Sequence, residues 1–192
     1  MDVVIRTIHQ KPIEYLKLSI YLWSLVDTFY YENIDYSSAF ITIILTTDIF
    51  ITEKPDIKLH HVMAIIFYIY VNTTCMIPED KFLISRPIMV CEVSSIFLAI
   101  NDIYEKEIKP HYVVANQLLF VSTFFYYRVY SFYINSIINS QYHETVNKYD
   151  SFHWDKIIWS TLYVFYALNL YWACLIGKKM YRKISRSLVK RE

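Results

Sequence analysis

Residues 58–101 read KLHHVMAIIFYIYVNTTCMIPEDKFLISRPIMVCEVSSIFLAIN. Two adjacent histidines, His60 and His61, open an apolar run. A short polar break follows around Pro78 to Lys81, and a second apolar run then carries a lone carboxylate, Glu92. An ionisable group inside an apolar helix is costly, on the order of 2.5–3.5 kcal/mol at the centre of a bilayer, and marks a functional site or a paired charge. The stretch therefore predicts helices in hydrocarbon with a few polar groups turned inward.

Working outward, apolar runs recur at about 13–31, 36–52, 61–77, 84–101, 112–136 and 157–177. Each brackets the ~20 residues that a spanning helix needs. The expected fold is all-α: a polytopic membrane bundle of about six transmembrane helices around a lipid cavity. A single domain over 1–192 is expected, its core at about 36–184 and a basic tail over 178–192. Mean hydropathy is only +0.25, which keeps a soluble helical core open as the alternative. Loop charges decide between them. With six passes, Arg6, Lys11, Lys17, Lys54, Lys58, Lys106, Lys109 and the seven basic residues of the tail fall on one side, fourteen of the 19 in the chain. The positive-inside bias then puts both termini in the cytosol. The first run lacks a small-residue cleavage site, so it is expected to be retained.

Composition removes several classes. The single glycine, Gly177, excludes glycine-rich phosphate loops. A net charge of +1 leaves no nucleic-acid footprint. Cys75, Cys91 and Cys174 have neither paired nor Cys-x-x-Cys spacing and lie in apolar runs, so neither a disulfide framework nor a zinc site is expected. His143, Glu144, Asp150, His153 and Asp155 lie in a segment read as solvated loop; Asn147 stands where a His-Glu-x-x-His site needs its second histidine.

The candidate site residues follow from depth. His60 and His61 sit at the cytosolic boundary, with Asp48 at similar depth in the preceding run. Glu92 is placed near mid-membrane and Arg128 mid to outer. A Glu92–Arg128 ion pair would lower the cost of both charges. Ser95 and Ala99 share the Glu92 helix face. The adjacent histidines point about 100° apart on a helix, so one turns to a central cavity and the other to a neighbouring helix. Histidine is the natural general base near neutral pH; an interfacial structural role is the alternative.

The order of these features resembles the TLC domain: Asp48, a Lys-x-x-x-Lys loop, His60-His61, Glu92 with Ser94, Ser95 and Phe97-Leu98, then FVSTFFYYRVYSF (120–132) with Arg128, and LNLYWACLIGKKMYRKI (168–184). That domain is shared by ceramide synthases, translocating-chain-associated membrane proteins and several lipid-regulating membrane proteins. For ceramide synthases the resemblance implies acyl transfer from acyl-CoA to a sphingoid amine, with His60 and His61 matching the adjacent histidines. Their later His-Asp pair is Cys91-Glu92 here, and Asn101-Asp102 replaces a downstream acidic cluster. The resemblance is thus closer to the non-synthase branch. It implies a protein of the endoplasmic reticulum that binds, senses or redistributes membrane lipids, with no cofactor. Two alternatives stand beside it. One is an acyltransferase with His60 or His61 as base and Glu92 orienting substrate, acyl-CoA being a co-substrate only in that case. The other is a membrane chaperone or cargo adaptor whose basic tail recruits protein partners.

Overall fold

The computed structural model describes residues 12, 15–24, 26–28, 35–104, 110–149 and 154–189. These are almost wholly helical, and none is in a strand. A helical segment α1 (15–24) precedes α2 (Asp35–Ile51), α3 (Pro55–Thr73), α4 (Pro78–Met89), α5 (Glu92–Tyr104), α6 (Pro110–Thr123), α7 (Ser140–Lys148) and α8 (Trp154–Val189). Between α6 and α7 the coil widens into π-helical turns over Phe124–Ser131 and Tyr133–Ile137.

Proline sets three starts. Pro55, Pro78 and Pro110 are the first residues of α3, α4 and α6, where a missing N–H costs nothing. Asp56, Glu79 and Asp80 follow in the first turns, where the helix N-terminus favours negative charge. Pro78 and Pro110 were expected within loops; each instead opens a helix.

Sequence alone puts Pro87 in the first turn of the helix carrying Glu92, where its missing N–H does little harm. It lies instead in the last turn of α4, and the chain makes a turn at Val90 and Cys91 before α5 begins. There the chain tightens through three i→i−3 bonds: Cys91 N to Ile88 O (3.1 Å), Val93 N to Val90 O (3.2 Å) and Ser94 N to Cys91 O (3.3 Å). Glu92 therefore stands in the first turn of a new helix, not in the middle of one.

The core gathers on α3. Phe67, Tyr68, Tyr70 and Val71 pack with Ile41 and Leu45 of α2, Ile84, Ile88 and Met89 of α4, and Ile158, Leu162 and Phe165 of α8. Helix α3 touches α2, α4 and α8, while α5 lies along α6. The segment read as solvated loop contains α7, whose Tyr142 and Val146 are fully buried. Tyr142 Oη donates to Ile84 O at 3.1 Å, and Asn139 caps α7 by accepting from Tyr142 N. A lone polar-looking stretch thus docks by two apolar side chains four residues apart on one face.

Large apolar residues also face outward: Phe40, Ile43, Phe50, Leu118, Leu119, Tyr163, Leu170 and Tyr171. Phe50 is 83% exposed. Apolar surface on that scale marks a membrane or partner interface. Among the described residues, two stretches are long and apolar enough to cross a bilayer, Pro78–Ile103 and Lys156–Arg182, with Ser38–Ile51 a shorter apolar helix. Of the three cysteines, Cys91 is buried, while Cys75 and Cys174 are exposed.

Candidate functional site

The π-helical turns carry Arg128 into the bundle. Their i→i−5 bonding is seen at Ile138 N to Tyr133 O (3.2 Å). Such turns are rare, usually single, and frequent at functional sites. Arg128 is 5% exposed and Glu92 4%. The guanidinium is held by hydroxyls from the first turn of α5: Nε donates to Ser94 Oγ at 2.7 Å and Nη2 to Ser95 Oγ at 2.8 Å. Glu92 Oε2 lies 3.5 Å from Nη2, an ion pair rather than a close hydrogen bond. Phe124 offers its ring face to the guanidinium at 5.7 Å.

The expected Glu92–Arg128 pair is therefore present, with Ser95 beside it. Ser94 was not singled out as a candidate. On an ideal α-helix residues 92 and 94 face different ways, yet here the Glu92 carboxylate and the Ser94 hydroxyl both reach one guanidinium. Ser94 Oγ also donates to Cys91 O at 2.9 Å, which fixes the seryl oxygen. Cys91 Sγ lies 3.2 Å from Pro87 O and 3.8 Å from Tyr127 O. Its thiol so sits between the last turn of α4 and the π-helical turn that holds Arg128.

The histidines diverge. His60 Nε2 is 3.5 Å from Arg128 Nη1, joining the cluster. Its ring packs on Phe165 and Trp172 of α8, at centroid distances of 4.4 and 4.9 Å. Trp172 Nε1 in turn donates to Asp56 Oδ2 at 2.7 Å, tying α8 to the start of α3. His61 turns to α2, where its Nδ1 is 3.5 Å from Asp48 Oδ2. That separation is an ion-pair distance without hydrogen-bond geometry. Asp48 makes a much closer contact with Lys17 Nζ of α1, at 2.6 Å.

Of the six candidates, His60, Glu92 and Arg128 are buried and meet in one cluster with half-buried Ser95. Asp48 and His61 form a second, adjoining it through the neighbouring histidine. Ala99 is buried one turn further along α5 and brings no polar atom. In the segment read as solvated loop, His143 Nε2 is 2.8 Å from Ile137 O and its ring packs on Trp159. Asp150 and His153 lie outside the described residues.

Chemically, the first cluster is a cation held mainly by neutral oxygens, with one carboxylate and one imidazole in reach. It can receive a polar group while surrounded by apolar helices. The second is an imidazole beside a carboxylate, the pairing that orients a histidine.

A family model described as the TLC domain matches residues 7–178. No curated protein and no solved structure matches the chain.

Proposed function

The chain belongs to the TLC-domain family, and from that premise we propose that this membrane protein binds membrane lipids and senses or redistributes them. In this reading the helices make six passes, both termini are cytosolic, and the resident membrane is the endoplasmic reticulum. The observation that carries it is the cluster of buried His60, Glu92, Ser94 and Arg128 with half-buried Ser95. Five polar side chains meet there inside a shell of outward-facing apolar residues. Intramembrane ionisable groups that turn inward and pair are the usual mark of a substrate or ligand path. Hydroxyls suit a headgroup pocket, because they exchange one hydrogen-bond partner for another at little cost.

The test is mass spectrometry of lipid retained by the purified protein. A defined lipid class should co-purify, and Glu92→Ala should change its amount while no turnover is seen with acyl-CoA. Protein that carries no lipid above the detergent background overturns the reading.

A second reading has its own support. Asp48 beside His61 is the arrangement that would orient an imidazole as general base, as an acyl-CoA-dependent N-acyltransferase requires. Lys17 competes for the same carboxylate and argues against it. Sphinganine and acyl-CoA should yield ceramide under this reading, and His61→Ala should abolish the product.

A further inference from the structure

Asn169 of α8 is 0% exposed, and neither its Oδ1 nor its Nδ2 has a hydrogen-bond partner among the described residues. Buried side-chain amides are rarely left so, because both ends lose water without replacement. A second orphan is His60 Nδ1, in a ring 4% exposed. Both are placed at the contact of α3 with α8. His60 packs on Phe165 and Trp172, and Asn169 lies between them on the same face of α8, four residues after one and three before the other.

The donor pattern can be read off. Arginine only donates, so in the tautomer where His60 Nε2 accepts from Arg128 Nη1, 3.5 Å away, the ring proton is on Nδ1. The unpaired set is then an N–H from His60 with a carbonyl and an amide N–H₂ from Asn169, walled by two aromatic rings. The surrounding charges are already answered. Arg128 has Ser94, Ser95 and Glu92, Asp48 has Lys17, and Asp56 has the Trp172 indole. An anionic headgroup would have to displace Glu92, and a cationic one would meet Arg128.

We propose that His60 and Asn169 form a receptor for the headgroup of an uncharged lipid bearing a hydroxyl or an amide, which both accepts from His60 and exchanges bonds with the Asn169 amide. The proposal rests on the lipid-binding reading and goes beyond it by naming the headgroup chemistry and Asn169 as its reader.

The experiment uses the full chain in phosphatidylcholine vesicles with four photoactivatable probes of one acyl chain: a monoacylglycerol, a primary fatty amide, a methyl ester and a lysophosphatidic acid. Cross-linked protein is quantified by mass spectrometry. The monoacylglycerol or the primary amide should label best, and whichever does identifies the headgroup as hydroxyl or amide. Asn169→Leu should lower that labelling about tenfold, the effect of losing one buried hydrogen-bonding group, and leave the weak methyl ester signal unchanged. Helix content by circular dichroism checks folding; should Asn169→Leu not fold, Asn169→Ala makes the same comparison. Equal labelling of variant and wild type overturns the proposal, as does preference for the lysophosphatidic acid. If lipid co-purifies with the wild type yet neither polar uncharged probe labels it, the proposal fails and the lipid-binding reading stands. If nothing co-purifies and nothing labels, both fail.

Discussion

Arg128 Nη2 stands 3.5 Å from Glu92 Oε2, while Ser94 and Ser95 hold the same guanidinium at 2.7 and 2.8 Å. The carboxylate balances the charge, and the hydroxyls fix the geometry. These are separable by mutation.

Breaking a buried ion pair by removing one partner typically costs about 3–5 kcal/mol, since the other charge is left uncompensated. Glu92→Gln should therefore lower the thermal unfolding midpoint in detergent more than Ser95→Ala does. Interhelical hydrogen bonds in membrane proteins average only about 0.6 kcal/mol, which sets the scale for the serine. The double variant Glu92→Gln/Arg128→Gln should lose less than the two single losses added together. Simple additivity in this cycle would show that the two charges do not interact.

How much of this was legible in the sequence depends on range. The helices were readable because apolar runs of spanning length are a local signal, and Glu92 and Arg128 were readable because charge in such a run demands a partner. The turn at Val90 and Cys91 was not: Pro87 looked like the start of a helix, and only the packed chain shows α4 beginning nine residues earlier at Pro78. Ser94 was lost with it, because a uniform helical wheel puts it off the Glu92 face. The π-helical turns around Arg128 leave no composition signature. Lys17–Asp48 and Trp172–Asp56 join residues 31 and 116 positions apart, a separation that a single sequence cannot resolve.

The Lys17–Asp48 contact makes a second prediction. Lys17 Nζ sits 2.6 Å from Asp48 Oδ1, so it ties α1 to the end of α2. Asp48→Asn should raise amide hydrogen exchange in α1 while leaving the Arg128 cluster protected. If His61 is a catalytic base oriented by Asp48, the same variant should also lower ceramide formation by about two orders of magnitude or more. Faster exchange in α1 with no change in lipid chemistry would assign Asp48 to structure alone.

The α4–α7 junction separates buried from exposed polar contacts. Asp80 accepts from Lys148 Nζ at 2.6 Å and from Tyr149 Oη at 2.7 Å. The neighbouring carboxylate raises the Lys148 ammonium above the ordinary lysine value. A raised lysine stabilises the fold at pH values below the ordinary one, and that support is lost as pH climbs through the folded value. Lys148 is solvent-exposed, so salt should screen the contact as well. Lys148→Met should therefore shift the unfolding midpoint slightly at neutral pH and not at all above the lysine range. Tyr142→Phe, which removes a buried bond to Ile84 O, should cost about 1 kcal/mol at any pH below tyrosine ionisation. A larger effect from Lys148→Met than from Tyr142→Phe would contradict this ordering.

The three cysteines report on orientation. Cys75 lies exposed in the turn between α3 and α4, Cys91 is buried in the turn between α4 and α5, and Cys174 is exposed on α8 among apolar neighbours. Maleimide reacts with the thiolate, which forms only where water reaches the sulfur. In sealed microsomes with the cytosolic face outward, an impermeant maleimide should leave Cys75 unlabelled until the membrane is opened with detergent, because the proposed six passes with cytosolic ends would put the α3–α4 turn in the lumen. Cys91 should stay unlabelled until the fold is denatured. Cys174 should react slowly in intact vesicles, since in the proposed six-pass arrangement exposure on that helix is contact with acyl chains rather than water, and faster once detergent replaces the bilayer. Variants keeping one cysteine each resolve the three rates. Prompt labelling of Cys75 in intact vesicles would reverse the orientation drawn from the basic residues, and prompt labelling of Cys174 would put that face of α8 in water.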